Sequence, residues 1–322
     1  MSCFNVTQYL KTEMYSFSNT TQGEFMKTFQ YLLHIPTFTL GLIINSVALW
    51  ILCFRLKNWT ENVIYMTNLI FSDILLLFSL PFKMHAYQAG EDWHLGARFC
   101  QFVQSLYFVN TYGTILLIML ISLDRYIAIK HPFLARTLRS PKKATIACTV
   151  LWLCVWSASI PNYLQEENGE HCFKDFAKFW CPGRIPLSMI AVFLVAASVV
   201  IFCSAQIIRI LQRVDEDRDD IDTKISRKII SSNLVTFLLC FTPYHLALFL
   251  YFLVRNSYIE ERYLISLRVL LQICQCFATT NCCLDAMYYH LIIKKFWKSK
   301  NEQLKRNVLL SIVVSFKNSI CL

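Results

Sequence analysis

From its amino end, the chain alternates long apolar runs with short polar breaks. The runs fall at roughly 27–54, 62–87, 97–130, 142–163, 184–213, 224–254 and 262–291. Each is near or above the twenty or so residues that carry a helix across a bilayer. Seven crossings predict an all-α membrane protein, a seven-transmembrane helix bundle whose termini lie on opposite sides. The polar stretch 1–26 then reads as an extracellular tail and 27–292 as the transmembrane domain. Beyond Tyr289, Lys294-Lys295-Phe296-Trp297-Lys298 sets aromatics among cations, the pattern of a short amphipathic helix in the headgroup layer. Residues 293–322 are expected to form that helix and a cytoplasmic tail.

The run 97–130 organises the others. It opens near Cys100, stays almost uncharged from Gln101 to Leu123, and closes on Asp124-Arg125-Tyr126. At the rise of a helix, Cys100 and Arg125 stand about 37 Å apart, against a hydrocarbon thickness of about 30 Å. One rod therefore touches both membrane faces.

Composition excludes a soluble domain: 56% of residues are hydrophobic and 16% charged, where a soluble chain is nearer about 25% charged. The net charge of +10 does not point to nucleic acid. Its basic residues, among them Arg55, Lys57, Arg136, Arg139, Lys142, Lys143, Lys294, Lys295 and Lys298, flank apolar runs, as cytoplasmic loops do. Met1 to Leu10 lacks a basic start followed by an apolar core, so the first span is expected to serve as its own insertion signal. Sequons at Asn5 and Asn19 predict sugar on the outer tail, and the one at Asn58, in a basic loop, is expected to stay bare. Of fourteen cysteines, Cys3, Cys100, Cys172 and Cys181 fall where an oxidising exterior can pair them; the rest include many within apolar runs.

Several residues in the spans carry chemistry. Asp73 sits mid-span, where a carboxylate costs roughly 2.5–3.5 kcal/mol even on an insertion scale, so it must face the bundle interior. With Asn45, Thr114, Asn281 and Asp285 as neighbours, it holds a sodium ion, shares a proton, or belongs to a polar core without ion. Pro243 bends the sixth span, with Phe237 and Phe241 on the turns beside it. No His-Glu-x-x-His and no nucleophile elbow occurs, so neither an enzyme nor a catalytic residue is expected, and the only cofactor in view is sodium. A seven-helix transporter is the rival class, but inverted repeats and paired broken helices are missing from the sequence.

Taken together, Asn45, the Asp73 box, Trp152, Cys100 with Cys172, Asp124-Arg125-Tyr126, Cys240-Phe241-Thr242-Pro243 and Asp285-Ala286-Met287-Tyr288-Tyr289 resemble the rhodopsin-like (class A) G-protein-coupled receptors over about residues 27–300. Within that family, His34-Ile35-Pro36-Thr37-Phe38, Ser79-Leu80-Pro81-Phe82-Lys83 and Asn281-Cys282-Cys283-Leu284-Asp285 resemble the branch that answers lysophosphatidylinositol. Asn58-Trp59-Thr60-Glu61 and Leu138-Arg139-Ser140-Pro141 echo a related kynurenic-acid-type receptor. Three departures stand out: Ala286 follows Asp285 where the family has proline, Ala196 replaces the proline of the fifth helix, and Phe241 replaces the usual tryptophan.

The resemblance implies a Cys100–Cys172 disulfide, a plasma-membrane receptor with its amino terminus outside and carboxyl terminus inside, a heterotrimeric G protein as partner, and arrestin as a second. It implies that Asp124, Arg125, Tyr126, Phe237, Phe241, Pro243 and Tyr289 form the switch read by that partner. Tyr107 stands where amine receptors carry aspartate, and Thr279 where opsins carry the retinal lysine, so neither an amine nor retinal is expected. Lys83, Arg255 and Arg268, with His171, suit an anionic head group. Gln104, Phe102, Tyr107, Phe108 and Phe249 are expected to line the cavity and its acyl channel. The expected agonist is an anionic lysophospholipid, with a small aromatic acid, a nucleotide or a peptide as alternatives.

Overall fold

The computed structural model describes residues 21–55, 59–88, 93–163, 172, 184–218 and 221–285. Cys3, Asn5, Asn19, Asn58, His171, Cys181, Tyr289, the amphipathic segment and the carboxyl tail lie outside the described residues.

Seven helices are long and apolar enough to cross a membrane. The first runs Thr21–Trp50 and ends in a wider π turn, Ile51–Arg55. The second is Glu61–Gln88, the third Ala97–Lys130, the fourth Pro141–Tyr163, the fifth Arg184–Arg218 and the sixth Ile221–Arg255. A short helix, Pro132–Leu138, links the third to the fourth. The seventh spans Leu264–Asp285 but is interrupted at Thr280. No strand occurs among the described residues. These bounds lie within a few residues of the apolar runs, because each run ends where charged or turn residues begin.

The interior follows from which polar groups need company. The third helix packs against the second, fourth and fifth. Asn110 Nδ2 donates to the Ser72 carbonyl at 2.9 Å, and Ser72 shares a hydrogen bond with Thr114 at 3.2 Å. Trp152 Nε1 donates to Asn68 Oδ1 at 2.8 Å, fastening the fourth helix to the second. Gly113 lies at that junction, where a Cβ would make ordinary contact with Ser72 Oγ at 3.4 Å and the Trp152 ring at 3.6 Å. Leu32, Leu153, Leu194, Val195 and Leu239 stand exposed around the bundle, as lipid-facing residues must where the surrounding solvent is hydrocarbon.

Two departures from the family pattern have structural outcomes. The fifth helix runs unbroken through Ala196, which is fully buried and supplies the backbone N–H a proline would lack. In the seventh, Thr279 Oγ1 donates to the Cys276 carbonyl at 2.6 Å and Thr280 Oγ1 to the Phe277 carbonyl at 2.7 Å. Hydroxyls that bond back to the preceding turn compete with the helix ladder and bend it. A threonine pair thus interrupts this helix one turn before the Asp285 position.

Candidate ligand site and switch

At the outer end, Lys83 is 3% exposed. Its Nζ lies 4.1 Å from the centre of the Tyr107 ring, and no described carboxylate pairs with it. A cation–π contact compensates only part of an ammonium's lost hydration. The Cys100–Cys172 disulfide closes this end, with Cα atoms 5.7 Å apart, and Gln104 Nε2 reaches the Cys172 sulfur at 4.0 Å. On the first helix the fully buried His34 lies near enough to feel the Lys83 charge, and Gln30, 3% exposed, is buried one turn before it. Neither ring nitrogen of His34 nor Oε1 of Gln30 has a hydrogen-bond partner.

Other expected site residues are distributed less compactly. Phe102 joins the aromatic cluster of Phe82, Phe99 and Trp93 beside Tyr107. Phe108 turns away, against Tyr112 at 4.9 Å. Arg255 caps the sixth helix and donates to Tyr251 Oη at 3.4 Å, while Arg268 lies a turn into the seventh helix. Phe249 does not line the interior: it is 39% exposed and shares an outward stripe with Leu246 and Leu239, so it meets lipid. The helical period explains the correction, since Ala247, Leu248 and Tyr251 occupy the inward face there.

At mid-bundle Asp73 is 1% exposed and its Oδ2 has no partner. Asn45 spends its amide N–H groups on the Gly41 carbonyl at 2.9 Å and the Cys282 carbonyl at 3.1 Å, which leaves its Oδ1 bare. Asn281 donates to Asp285 Oδ2 at 2.6 Å, and its own Oδ1 is bare too. Thr114 is engaged by Ser72, not by Asp73 as expected from the sequence; its hydroxyl follows the Ser72–Asn110 network that joins the second and third helices.

Below the sixth-helix proline, Phe237 stacks with Phe193 at 6.1 Å and meets Phe241 at 5.5 Å. His245, which sequence reasoning passed over, holds this layer together. Its Nδ1 lies 2.8 Å from the Phe241 carbonyl, its Nε2 3.2 Å from Tyr112 Oη, and its ring stacks on Phe193 at 3.9 Å. A histidine inside an apolar run was the available signal.

At the inner end the acid of Asp124-Arg125 is not spent on its neighbour. Arg139 donates from Nε and Nη2 to both Asp124 oxygens at 2.9 Å, with Glu61 at 3.7 Å on the other side. The carboxylate bonded to it holds the Arg139 guanidinium above its ordinary pKa. A fork matching a carboxylate outcompetes an adjacent residue whose side chain leaves the helix about 100° away. Tyr126 packs on Phe202 at 5.6 Å. Arg125 lines a cavity of about 50 Å³ with Ser204, Asn233, Phe237, Asn281 and Asp285.

Comparison with known proteins completes the picture. The model of the family "7 transmembrane receptor (rhodopsin family)" matches residues 44–307. The chain is 40% identical over 284 residues to human G-protein coupled receptor 55, covering 85% of this chain and 88% of the relative. It is 36% identical over 260 residues to human G-protein coupled receptor 35, covering 80% and 81%. It is 33% identical over 292 residues to Lysophosphatidic acid receptor 6 of Gallus gallus, covering 86% and 94%. Seven crossings, a disulfide at one end, a buried acid at mid-depth and an arginine at the opposite end thus agree with the match, and the chain belongs to the rhodopsin-like, class A G-protein-coupled receptors, a multi-pass receptor of the plasma membrane and not an enzyme.

Proposed function

We propose that this receptor answers an anionic lysophospholipid such as lysophosphatidylinositol, with Lys83 taking the charged head. The observation that carries the reading is a buried ammonium with no counter-ion among the described residues. An anionic oxygen at that position supplies both the missing charge and the missing acceptors. Two relatives carry lysophosphatidic acid in their names, which agrees with this ligand class. Lys83→Ala is expected to abolish activation by lysophosphatidylinositol at unchanged surface expression. An undiminished response, read as G-protein activation in cells, overturns the assignment, and aromatic acids and nucleotides in the same screen report the alternatives.

Binding at the outer half then favours an arrangement in which the inner part of the sixth helix swings outward about Pro243 and Arg125 meets a G-protein α subunit. Such coupling is reciprocal, so bound G protein tightens agonist binding. On this reading the amino terminus lies outside and the carboxyl terminus inside, with arrestin as a second partner of the same inner face.

The mid-bundle oxygens fit a sodium ion: Asp73 Oδ2, Asn45 Oδ1 and Asn281 Oδ1 are buried acceptors with no donor, beside a second acid, Asp285. Bound there, sodium supplies a positive charge that offsets the buried carboxylates. Asp73→Asn is expected to remove the effect of sodium on agonist affinity; a sodium response that survives the substitution rejects the site.

A further inference from the structure

The first helix was no part of the expected ligand site, yet among the described residues it brings the most unsatisfied polar atoms to the outer end. Gln30 and His34 lie four residues apart, so they share one helix face, and both are buried on it. Tyr31 Oη donates to the Met84 carbonyl at 2.7 Å, one residue along from Gln30 on one side and from Lys83 on the other. That bond fixes the two helices in register and sets the pair at the depth of the lysine. Phe29 meets Phe277 at 6.0 Å, which brings the seventh helix against the first at this end.

The unfilled groups differ in what they need. Lys83 is a donor only and requires acceptors. Gln30 Oε1 is an acceptor only and requires a donor. Neutral His34 offers one nitrogen of each kind, and both are empty. A bare phosphate or carboxylate supplies acceptors for Lys83 and the His34 N–H, but it leaves Gln30 Oε1 and the second His34 nitrogen facing more acceptors. Hydroxyl groups next to the anion supply the missing donors. We infer that Gln30 and His34 form a hydroxyl-reading wall of the ligand site, which selects anionic lipids whose head group carries hydroxyls beyond the phosphate.

This inference rests on Lys83 as the anion site and adds what the neighbouring groups demand. The test uses the full-length receptor in cells with G-protein activation as readout. The probes are lysophosphatidylglycerol, its analogue with both terminal hydroxyls methylated, and lysophosphatidic acid, all on one acyl chain. The unmodified glycerol head is expected to be about tenfold or more the most potent, the scale of one well-placed hydrogen bond. Gln30→Met and His34→Phe, each close to its parent in volume, are expected to shrink that gap, and the double variant to bring it within about threefold.

Equal potency of the glycerol head and its methylated analogue on the unaltered receptor overturns the inference, and that arm needs no variant to fold. A preference that persists unchanged in variants at normal surface levels also overturns it. Lys83→Ala separates the two readings: if it silences all three lipids while no head-group preference exists, only the wall is wrong. If all three lipids act equally on Lys83→Ala, the anion site falls and the wall with it.

Discussion

Asp124 shows how a single residue's partner decides its meaning. Both its oxygens are taken by Arg139, from the loop after the third helix, and not by the arginine beside it in sequence. Hydrogen bonds to charged groups contribute about 1.5–3 kcal/mol, and part of that is screened here because the Arg139 side chain is 23% exposed. Arg139→Gln should therefore lower the thermal stability of the purified receptor by less than a fully buried pair would, about 1–2 kcal/mol. Exchanging the two charges, Asp124→Arg with Arg139→Asp, should recover part of the loss in a melting experiment. The sequence displayed Asp124, Arg125 and Arg139 but not this pairing, because a contact across 15 residues depends on how the short helix Pro132–Leu138 returns the chain. His34 and Gln30 were hidden for a related reason: one face of the first helix acquires a role only when Tyr31 fixes its register against the second.

The elements themselves were largely legible, since apolar runs of this length admit few alternatives to a crossing helix. Inward and outward faces were not. Phe249 reads as an acyl contact from residue type alone, and only the helical phase of its neighbours turns it to lipid. The sixth helix carries Pro243 with Phe237 and Phe241 on its inward side, packed on Phe193 of the fifth. Pro243→Ala restores a backbone bond and stiffens the hinge. Agonist binding to that variant should persist while maximal nucleotide exchange on the G protein falls several-fold; an unchanged maximum places the hinge elsewhere. Among the described residues the seventh helix is interrupted at Thr280, where the Thr279 and Thr280 hydroxyls bond back to the preceding turn, a feature that the family pattern alone does not reveal.

Across the whole molecule, one rod joins the outer and inner ends, pinned at its outer end by Cys100–Cys172 at a sequence separation of 72. Loop closure of that length corresponds to about 4 kcal/mol for a soluble chain, and less in a bilayer, where helices persist after the bundle comes apart. Cys100→Ser with Cys172→Ser should lower both the melting temperature and the agonist potency, because the same bridge holds Gln104 near the Lys83 site. If potency holds while stability falls, the bridge serves the fold alone.

The chamber above Arg125 has a consequence for signalling at rest. At about 50 Å³ it has room for a water molecule or two, whereas an incoming peptide helix is about 10–12 Å across. That cavity, as lined by the described residues, has no room for such a helix. On the proposed reading, output without agonist requires the fifth and sixth helices to part, and mutations that loosen Phe237 from Phe193 should raise it.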